Sequence, residues 1–349
     1  MDWIDNKTIL TPTGGFLAAG YTHTINPYVG CAFARALCGT FCYAQHNQWI
    51  TQGRPWGLFG AKQNLREVYR RDYDRLRKPR HGVSRPLKIY MSSSTDPYIP
   101  QEHRLGLTRS LLEEMVERPP DVLVIQTHNT LIRRDLDLIL KLSALCELWV
   151  SLTVETDMDP VPGFPSHACP PAKRLDTLKV FREAGVRTQA TLSPLMPLAD
   201  PDEFALHLDE SCERIIIDHY LLGDGSPNGM RTKRTDFVQR LEQAGYAEWT
   251  TLEKFWEVRN FLAGVLGAER VLVSCEGFNA VGKTWERRSR PMAHENAVDG
   301  NGRLEEESKE EEEQEKRRKE LPARKEAPQR EETPQRPSPS PRRVRYNSD

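Results

Sequence analysis

The sequence predicts an α/β fold built on parallel strands, and three observations carry that expectation. Apolar strand-like runs alternate with helix-period segments from about residue 86 to residue 275, giving five or six βα units in a row. The strand runs are apolar at most positions, as in strands buried on both faces of a parallel sheet. Gly185 stands directly after the helical stretch 172–184, where a helix end favours glycine. A doubly wound sheet and a barrel both satisfy this alternation, and periodicity alone does not choose between them.

The elements follow in chain order. Residues 56–78 form a long helical candidate, with Leu65, Val68, Tyr69 and Tyr73 set among arginines and aspartates. Residues 86–92 read as a strand, and 105–117 as a helix with Leu107, Leu111, Leu112 and Met115 on one side. Next come strand 121–127, helix 133–145 and strand 147–154. A loop rich in Pro and Asp precedes helix 172–184. Strand 187–193, helix 201–209 and strand 214–218 continue the pattern, followed by helices 235–244 and 251–264 and a last strand at 269–274.

Length and composition bound the rest. The chain has 349 residues, enough for one large domain or two small ones, and its hydrophobic fraction is a low 38%. The deficit lies mainly at the end. From about Gly300 the sequence is Glu, Lys, Arg, Pro and Ser with too few apolar residues to bury a core, so disorder is expected there. The organisation read from this is an N-terminal extension at 1–19, a core domain with a C-terminal extension at 20–290, and a charged tail at 291–349. No apolar run approaches the ~20 residues needed to span a bilayer, and the start lacks the look of a targeting peptide. A monomer in the cytoplasm, a reducing compartment, is expected.

Chemistry concentrates in one stretch, Asn26-Pro27-Tyr28-Val29-Gly30-Cys31 running on to Cys38, Phe41, Cys42 and Tyr43. Three of seven cysteines fall within these twelve residues from Cys31 to Cys42. Three thiolates can hold three irons of a 4Fe–4S cube and leave the fourth iron open to a small-molecule ligand. A disulfide framework fits poorly, because the cysteine count is odd and a domain of this size needs no staples. A structural zinc site is the rival: Cys38, Cys42 and His46 recur every four residues, and Cys31 would complete a Cys3His tetrahedron. Cys146, Cys212 and Cys275 sit among apolar neighbours and read as ordinary buried thiols.

This stretch resembles the cluster loop of radical S-adenosylmethionine (SAM) enzymes, most closely the branch similar to spore photoproduct lyase. The spacing departs from the family's usual Cys-x3-Cys-x2-Cys, being Cys-x6-Cys-x3-Cys. A longer connection can still present three thiolates to one cube, because the metal fixes the ligand geometry and the backbone between is free to bulge. The resemblance implies an incomplete (β/α)6 barrel over about residues 20–275, with chemistry at the C-terminal ends of the strands. It implies a 4Fe–4S cluster on Cys31, Cys38 and Cys42, shielded by Phe41 and Tyr43, and SAM as co-substrate. It also implies an external reductant such as flavodoxin or ferredoxin.

Carried over residue by residue, the resemblance places SAM contacts at Ser94, Thr95 and Asp96 after the strand at 86–92. His128 stands where the family usually has Lys, and Ser151 matches a SAM-contact serine. Thr153 and Glu155 share one strand face with Ser151, and Glu155 is placed to take ribose hydroxyls. The capping and solvation readings of these residues remain open beside it. Spore photoproduct lyases carry a cysteine before the Ser/Thr-Asp element, where this chain has serines. Arg174, Gln189, Ser193 and Asp218 are expected on the substrate side.

Nucleic-acid repair is the substrate expectation by resemblance, with Arg66, Arg70, Arg71, Arg75 and Arg77 offering a basic helix face. The competing expectation is a zinc-stabilised nucleic-acid-binding module without catalysis. Gly277-x4-Gly282-Lys283-Thr284 completes a phosphate-loop pattern, but no apolar helix is expected after it.

Overall fold

The computed structural model of the chain describes residues 1–79 and 84–289. Its strands are β1 (Asp2–Ile4), β2 (Thr11–Pro12), β3 (His23–Ile25), β4 (Tyr28–Gly30), β5 (Phe59–Lys62), β6 (Lys88–Met91), β7 (Val122–Thr127), β8 (Glu147–Thr153), β9 (Arg187–Leu192), β10 (Arg214–Ile217) and β11 (Val271–Val273). The main sheet is ordered β11-β10-β9-β8-β7-β6-β3-β2. Every neighbouring pair from β3 to β11 is parallel, and β2 runs antiparallel to β3. The chain therefore has the expected parallel α/β architecture. Helices Leu107–Glu117, Leu136–Ser143, Pro171–Glu183, Pro201–Ser211 and Leu252–Leu266 alternate with the strands. They bury Leu111, Leu112, Met115, Ile139, Leu142, Leu178 and Phe181 against Leu123, Ile125, Val150 and Leu152 of the sheet.

The sheet curls away from these helices. In a flat sheet β7 and β9 would lie two spacings apart, roughly 9.5 Å. Here Gln126 Nε2 of β7 donates to Thr191 Oγ1 of β9 at 2.9 Å and to Thr153 Oγ1 of the intervening β8 at 2.7 Å. Tyr90 OH of β6 donates to Gln126 Oε1 at 3.0 Å. Polar side chains from four strands thus meet on a concave face. The sheet does not close, since β11 and β2 are its two edges. It is an incomplete barrel.

A helix fills the gap. Ser274–Ser289 leaves β11 and packs Val281, Phe278 and Trp285 with Tyr21, Tyr90, Val122, Val124 and Trp149 on the concave face. Asn279 Nδ2 donates to the Phe16 carbonyl at 2.7 Å, and Tyr21 OH donates to the Phe278 carbonyl at 3.0 Å. The backbones come so close that a Cβ on Gly282 would lie 1.7 Å from the Gly20 carbonyl oxygen. The phosphate-loop pattern is thereby explained: Gly282 serves helix packing, and the pattern lies within a helix. The sequence reading put no helix through these residues, and the structure adds one. Its apolar face contacts the inside of a curved sheet, so Asn279 and small residues interrupt the period that a sequence reading looks for.

Gly282→Ala is expected to lower stability by about 1–3 kcal/mol, as for an overpacked core position. Gly264→Ala is the control, because a Cβ there meets nothing within 4 Å. Equal urea midpoints for the two variants would refute this account of the helix.

The helical candidate 56–78 is corrected too. Its first part is β5, which pairs parallel with β1 and antiparallel with β4 in a separate three-stranded sheet, and only Leu65–Arg77 is helical. Phe59 and Ala61 are buried in the core cluster, and that tertiary packing decides the strand. The arginines of the helix are committed within the fold. Arg66 and Arg70 reach Glu114 at 3.0 and 2.8 Å, Arg77 reaches Asp121 at 2.7 Å, Arg75 reaches Asp72 at 3.5 Å, and Arg71 donates to the Lys7 carbonyl. Arg66, Arg70, Arg71 and Arg77 thus tie the helix to other elements, whereas Arg75 pairs within it.

Cys212 is buried as expected, but Cys146 is only partly buried and Cys275 is exposed. No helix among the described residues is long and apolar enough to cross a membrane. The charged tail expected at 291–349 lies outside the described residues.

Candidate functional site

The cysteine loop hangs between β4 and β5. Tyr28 is almost fully buried, and its hydroxyl donates to Glu102, whose other oxygen accepts from Arg134 at 2.7 Å. That buried pair anchors the start of the loop. Gly30 has φ +72°, and a Cβ there would lie 2.4 Å from the Leu58 carbonyl oxygen, so only glycine fits before Cys31. Cys38 sits in the short helix Leu37–Phe41, whose first residue donates its N–H to the Ser166 carbonyl at 2.9 Å. Tyr43 OH donates to the Ser93 carbonyl at 2.5 Å, tying the loop's end to the end of β6.

Cys31, Cys38 and Cys42 all line one cavity of about 800 Å3 at the C-terminal ends of the strands. Burial pushes Cys31 up to about 12 and Cys42 up to about 11, in part offset by backbone N–H groups. Cys38 is pushed up further, first by burial and then by the proximity of Cys31, Glu155, Cys42 and Asp96. The three thiols therefore feel one another. Among the described residues, no three His, Cys, Asp or Glu side chains gather as ligands of a single ion. A cube places each thiolate on its own iron, whereas zinc needs all its ligands at one point. His46, the fourth ligand of the zinc reading, is exposed and lies outside the cavity lining. The donor set fits an iron–sulfur cube.

Beside the thiols, the strand ends form a chain of charges. Asp96 is buried and fully engaged: Oδ1 accepts from Thr127 Oγ1 at 2.7 Å and Tyr98 N at 2.8 Å, and Oδ2 accepts from His128 N at 2.7 Å. His128 Nδ1 lies 3.3 Å from Asp96 Oδ2, and its Nε2 lies 3.3 Å from Glu155 Oε1. Arg174 Nη1 holds the other Glu155 oxygen at 2.6 Å. Burial opposes a charge on His128, but hydrogen bonds to Asp96 and Glu155 and their charges outweigh it and push the imidazole up to about 9. His128 is thus a cation at neutral pH, facing the cavity.

The predicted residues divide along this geometry. Ser94, Thr95, Asp96, His128, Thr153 and Tyr43 line the cavity with the cysteines. Thr95 Oγ1 donates to the Tyr28 carbonyl at 3.2 Å, so it also braces the cluster loop. Glu155 is not a solvated rim residue; it is buried and held between His128 and Arg174. Ser151 is fully buried beneath the cavity floor, accepts from Gln189 Nε2 at 3.1 Å, and does not line the cavity. Arg174 is a buried partner of Glu155 and is not on the substrate side.

Sequence reasoning missed Tyr90, Gln126, Thr191 and Lys62, all of which line the cavity. The first three occupy inward positions on their strands, and a two-residue period carried back from Asp96, His128 and Ser193 would have found them. Asp218 and Ser193 do line it. Ser193 Oγ donates to Asp218 at 3.2 Å, and burial pushes this carboxyl up to about 7 against its hydrogen bonds.

No family model matches the chain. It is 34% identical over 185 residues to an uncharacterized protein of Methanocaldococcus jannaschii, a match covering 51% of this chain and 62% of that protein. It is 27% identical over 201 residues to an uncharacterized protein of Acidianus two-tailed virus, covering 55% and 61%. The chain thus spans less than two thirds of the length of these curated relatives. Among solved structures it is similar to the radical S-adenosylmethionine methyltransferase TsrM of Kitasatospora setae, with tryptophan and a SAM analog bound. That match has 13% identity, a TM-score of 0.43, and covers 75% of this chain and 58% of that one. The cobalamin-dependent S-adenosylmethionine radical enzyme OxsB, with aqua-cobalamin bound, is similar at 13% identity and a TM-score of 0.37, covering 80% and 37%.

Proposed function

We propose that this chain is a radical SAM enzyme, with a 4Fe–4S cluster on Cys31, Cys38 and Cys42. One observation carries the reading: three partly buried thiols and His128, held between Asp96 and Glu155, face the same cavity at the C-terminal ends of parallel strands. When bound, the cluster supplies an electron that cleaves SAM to methionine and a hydrogen-abstracting 5′-deoxyadenosyl group. The protein's own part is orientation and exclusion of water. His128 is the counter-charge for the SAM carboxylate, in place of lysine. Asp96 and Glu155 keep that imidazole charged and fixed in direction. Tyr43 and Thr95 hold the cysteine loop against β6 and β4, so that thiols and cation keep a constant separation.

The finer reading is the branch similar to spore photoproduct lyase, supported by Asn26-Pro27-Tyr28-x-Gly30-Cys31 and by Thr95-Asp96. Serines precede this element where that branch has its hydrogen-returning cysteine, so hydrogen return here needs another donor. Arg66, Arg70 and Arg77 each pair with a carboxylate of the chain, so a nucleic-acid substrate rests on the resemblance alone.

The test is anaerobic. Reconstituted, reduced protein is expected to convert SAM slowly to 5′-deoxyadenosine and methionine without substrate. His128→Gln, which removes the positive charge, is expected to weaken SAM binding while iron content stays unchanged. A loaded, reduced cluster that made no 5′-deoxyadenosine would refute the reading.

A further inference from the structure

The cavity wall also carries a cation that the proposed chemistry does not use. Lys62 ends β5, in register with Ile4 of β1. Its backbone is fixed by an N–H donated to the Pro27 carbonyl at 3.2 Å. It is partly buried and lines the cavity, yet among the described residues no carboxylate lies within ion-pair distance of its ammonium. Burial without a counter-charge pulls its pKa down to about 8.

The acidic residues of the adjoining N-terminal segment are engaged elsewhere. Asp2 pairs with Arg54 at 3.1 Å, and Asp5 accepts from Gln63 at 3.0 Å. Asp72 accepts from Thr8 Oγ1 at 2.6 Å and from the N–H groups of Ile9 and Leu10 at 2.8 and 3.2 Å. Among the described residues none supplies a counter-ion for Lys62.

A second unused donor lies beside it. Asn64 takes the Asn6 N–H on its Oδ1 at 3.0 Å and gives its Nδ2 hydrogen to the Asn6 carbonyl at 3.1 Å. That double clamp fixes Asn6 next to the end of β5. Asn6 also lines the cavity, and its own Nδ2 is buried with no hydrogen-bond partner. A buried amide donor without an acceptor costs about 1–3 kcal/mol, and that cost persists only where a ligand or a packing need maintains it. Two donors, one of them cationic and neither matched among the described residues, line the same cavity from the end of β5 and the segment clamped to it.

We propose that Lys62 and Asn6 form an oxyanion subsite of the cavity, which takes a carboxylate or phosphate group of the substrate. The word substrate rests on the radical SAM reading; the anion binding itself does not. An ammonium at the end of β5 supplies the charge, and the Asn6 amide supplies direction. The substrate would then be an anionic molecule held by its charged end, with the remainder reaching along the hydroxyls of Tyr90, Thr153 and Thr191.

The experiment uses the full chain, reconstituted and labelled at lysine Cε, with inorganic phosphate and acetate titrated separately against chloride at constant ionic strength. The Lys62 resonance, assigned by its loss in Lys62→Met, is expected to shift saturably with at least one of the two oxyanions. The arm that saturates tells phosphate from carboxylate. Calorimetry should show binding at least about tenfold weaker in Lys62→Met, as for a lost charged hydrogen bond, and largely kept in Lys62→Arg. Asn6→Ala should weaken it severalfold.

A Lys62→Met protein that melts like the parent and binds both anions equally well would overturn the subsite, as would an unmoved Lys62 resonance. Displacement of the bound oxyanion by saturating SAM would place the SAM carboxylate there and overturn the substrate assignment. Neither titration needs a reductant. Protein that shifts Lys62 but makes no 5′-deoxyadenosine therefore counts against the enzyme reading and leaves the subsite standing.

Discussion

Anaerobic reconstitution of the full chain is expected to give about four irons and four sulfides per molecule, and Ala at Cys31, Cys38 or Cys42 is expected to abolish that loading. Each thiolate holds its own iron, so the loss of any one opens a second corner of the cube to solvent and oxygen. The controls are Cys146→Ala and Cys275→Ala, since neither residue lines the cavity and Cys275 is exposed, with its thiol turned to the Phe16 carbonyl at 3.2 Å. Iron, sulfide and zinc analysis of the five variants reads the outcome. Stoichiometric zinc that requires His46 would reverse the assignment, and so would full iron loading in Cys38→Ala.

What could be read beforehand followed from period and from chemistry. Apolar runs such as 121–127 have no polar face to mislead, and β7 occupies Val122–Thr127. The cysteine loop was legible because few other arrangements need three thiols within twelve residues. Two elements were illegible for related reasons. β5 is a short strand whose Phe59 and Ala61 are buried by tertiary packing, beside a strongly helical Arg- and Leu-rich stretch that masks it. The helix Ser274–Ser289 seals a barrel gap, where contact with Gly20 demands small residues in place of an apolar stripe.

Within the site, the limit was different. Alternation correctly put Ser151, Thr153 and Glu155 on one face, but it carries no depth. The structure shows Ser151 below the cavity floor, Thr153 at it, and Glu155 withdrawn behind His128. Depth in a curved sheet depends on how far each strand extends past its neighbours, which a single strand's pattern does not encode. The charge on His128 is likewise a property of three strand ends brought together. Thr127-His128-Asn129 alone says only that an imidazole is present.

The same convergence makes Arg174 the residue whose loss should damage the fold most among those that do not touch the cavity. Its guanidinium is buried, with Nη1 on Glu155 at 2.6 Å and on the Thr153 carbonyl, and Nη2 at 3.1 Å from His167 Nδ1. Arg174→Met removes the charge while keeping most of the volume. It leaves Glu155 with His128 alone, and a buried charge stripped of one partner typically costs about 3–5 kcal/mol. Removing both members, as Glu155→Gln with Arg174→Met, should recover a large part of that loss, because no uncompensated charge remains.

The pH dependence follows with a definite sign. His128 has a folded pKa of about 9, above its ordinary 6.5, so its stabilising contribution is complete below the ordinary value and fades as pH rises through about 9. Glu155 is opposed by burial but held below the usual carboxylate range by Arg174 and His128. Its contribution is present above that range and fades as pH falls through the lowered value. Urea denaturation of the single variants, the double variant and the parent from about pH 2 to pH 10 follows both trends. A cost under about 1 kcal/mol for Arg174→Met, within the range of an exposed ion pair, would show that this pair is not the buried, mutually dependent unit described here.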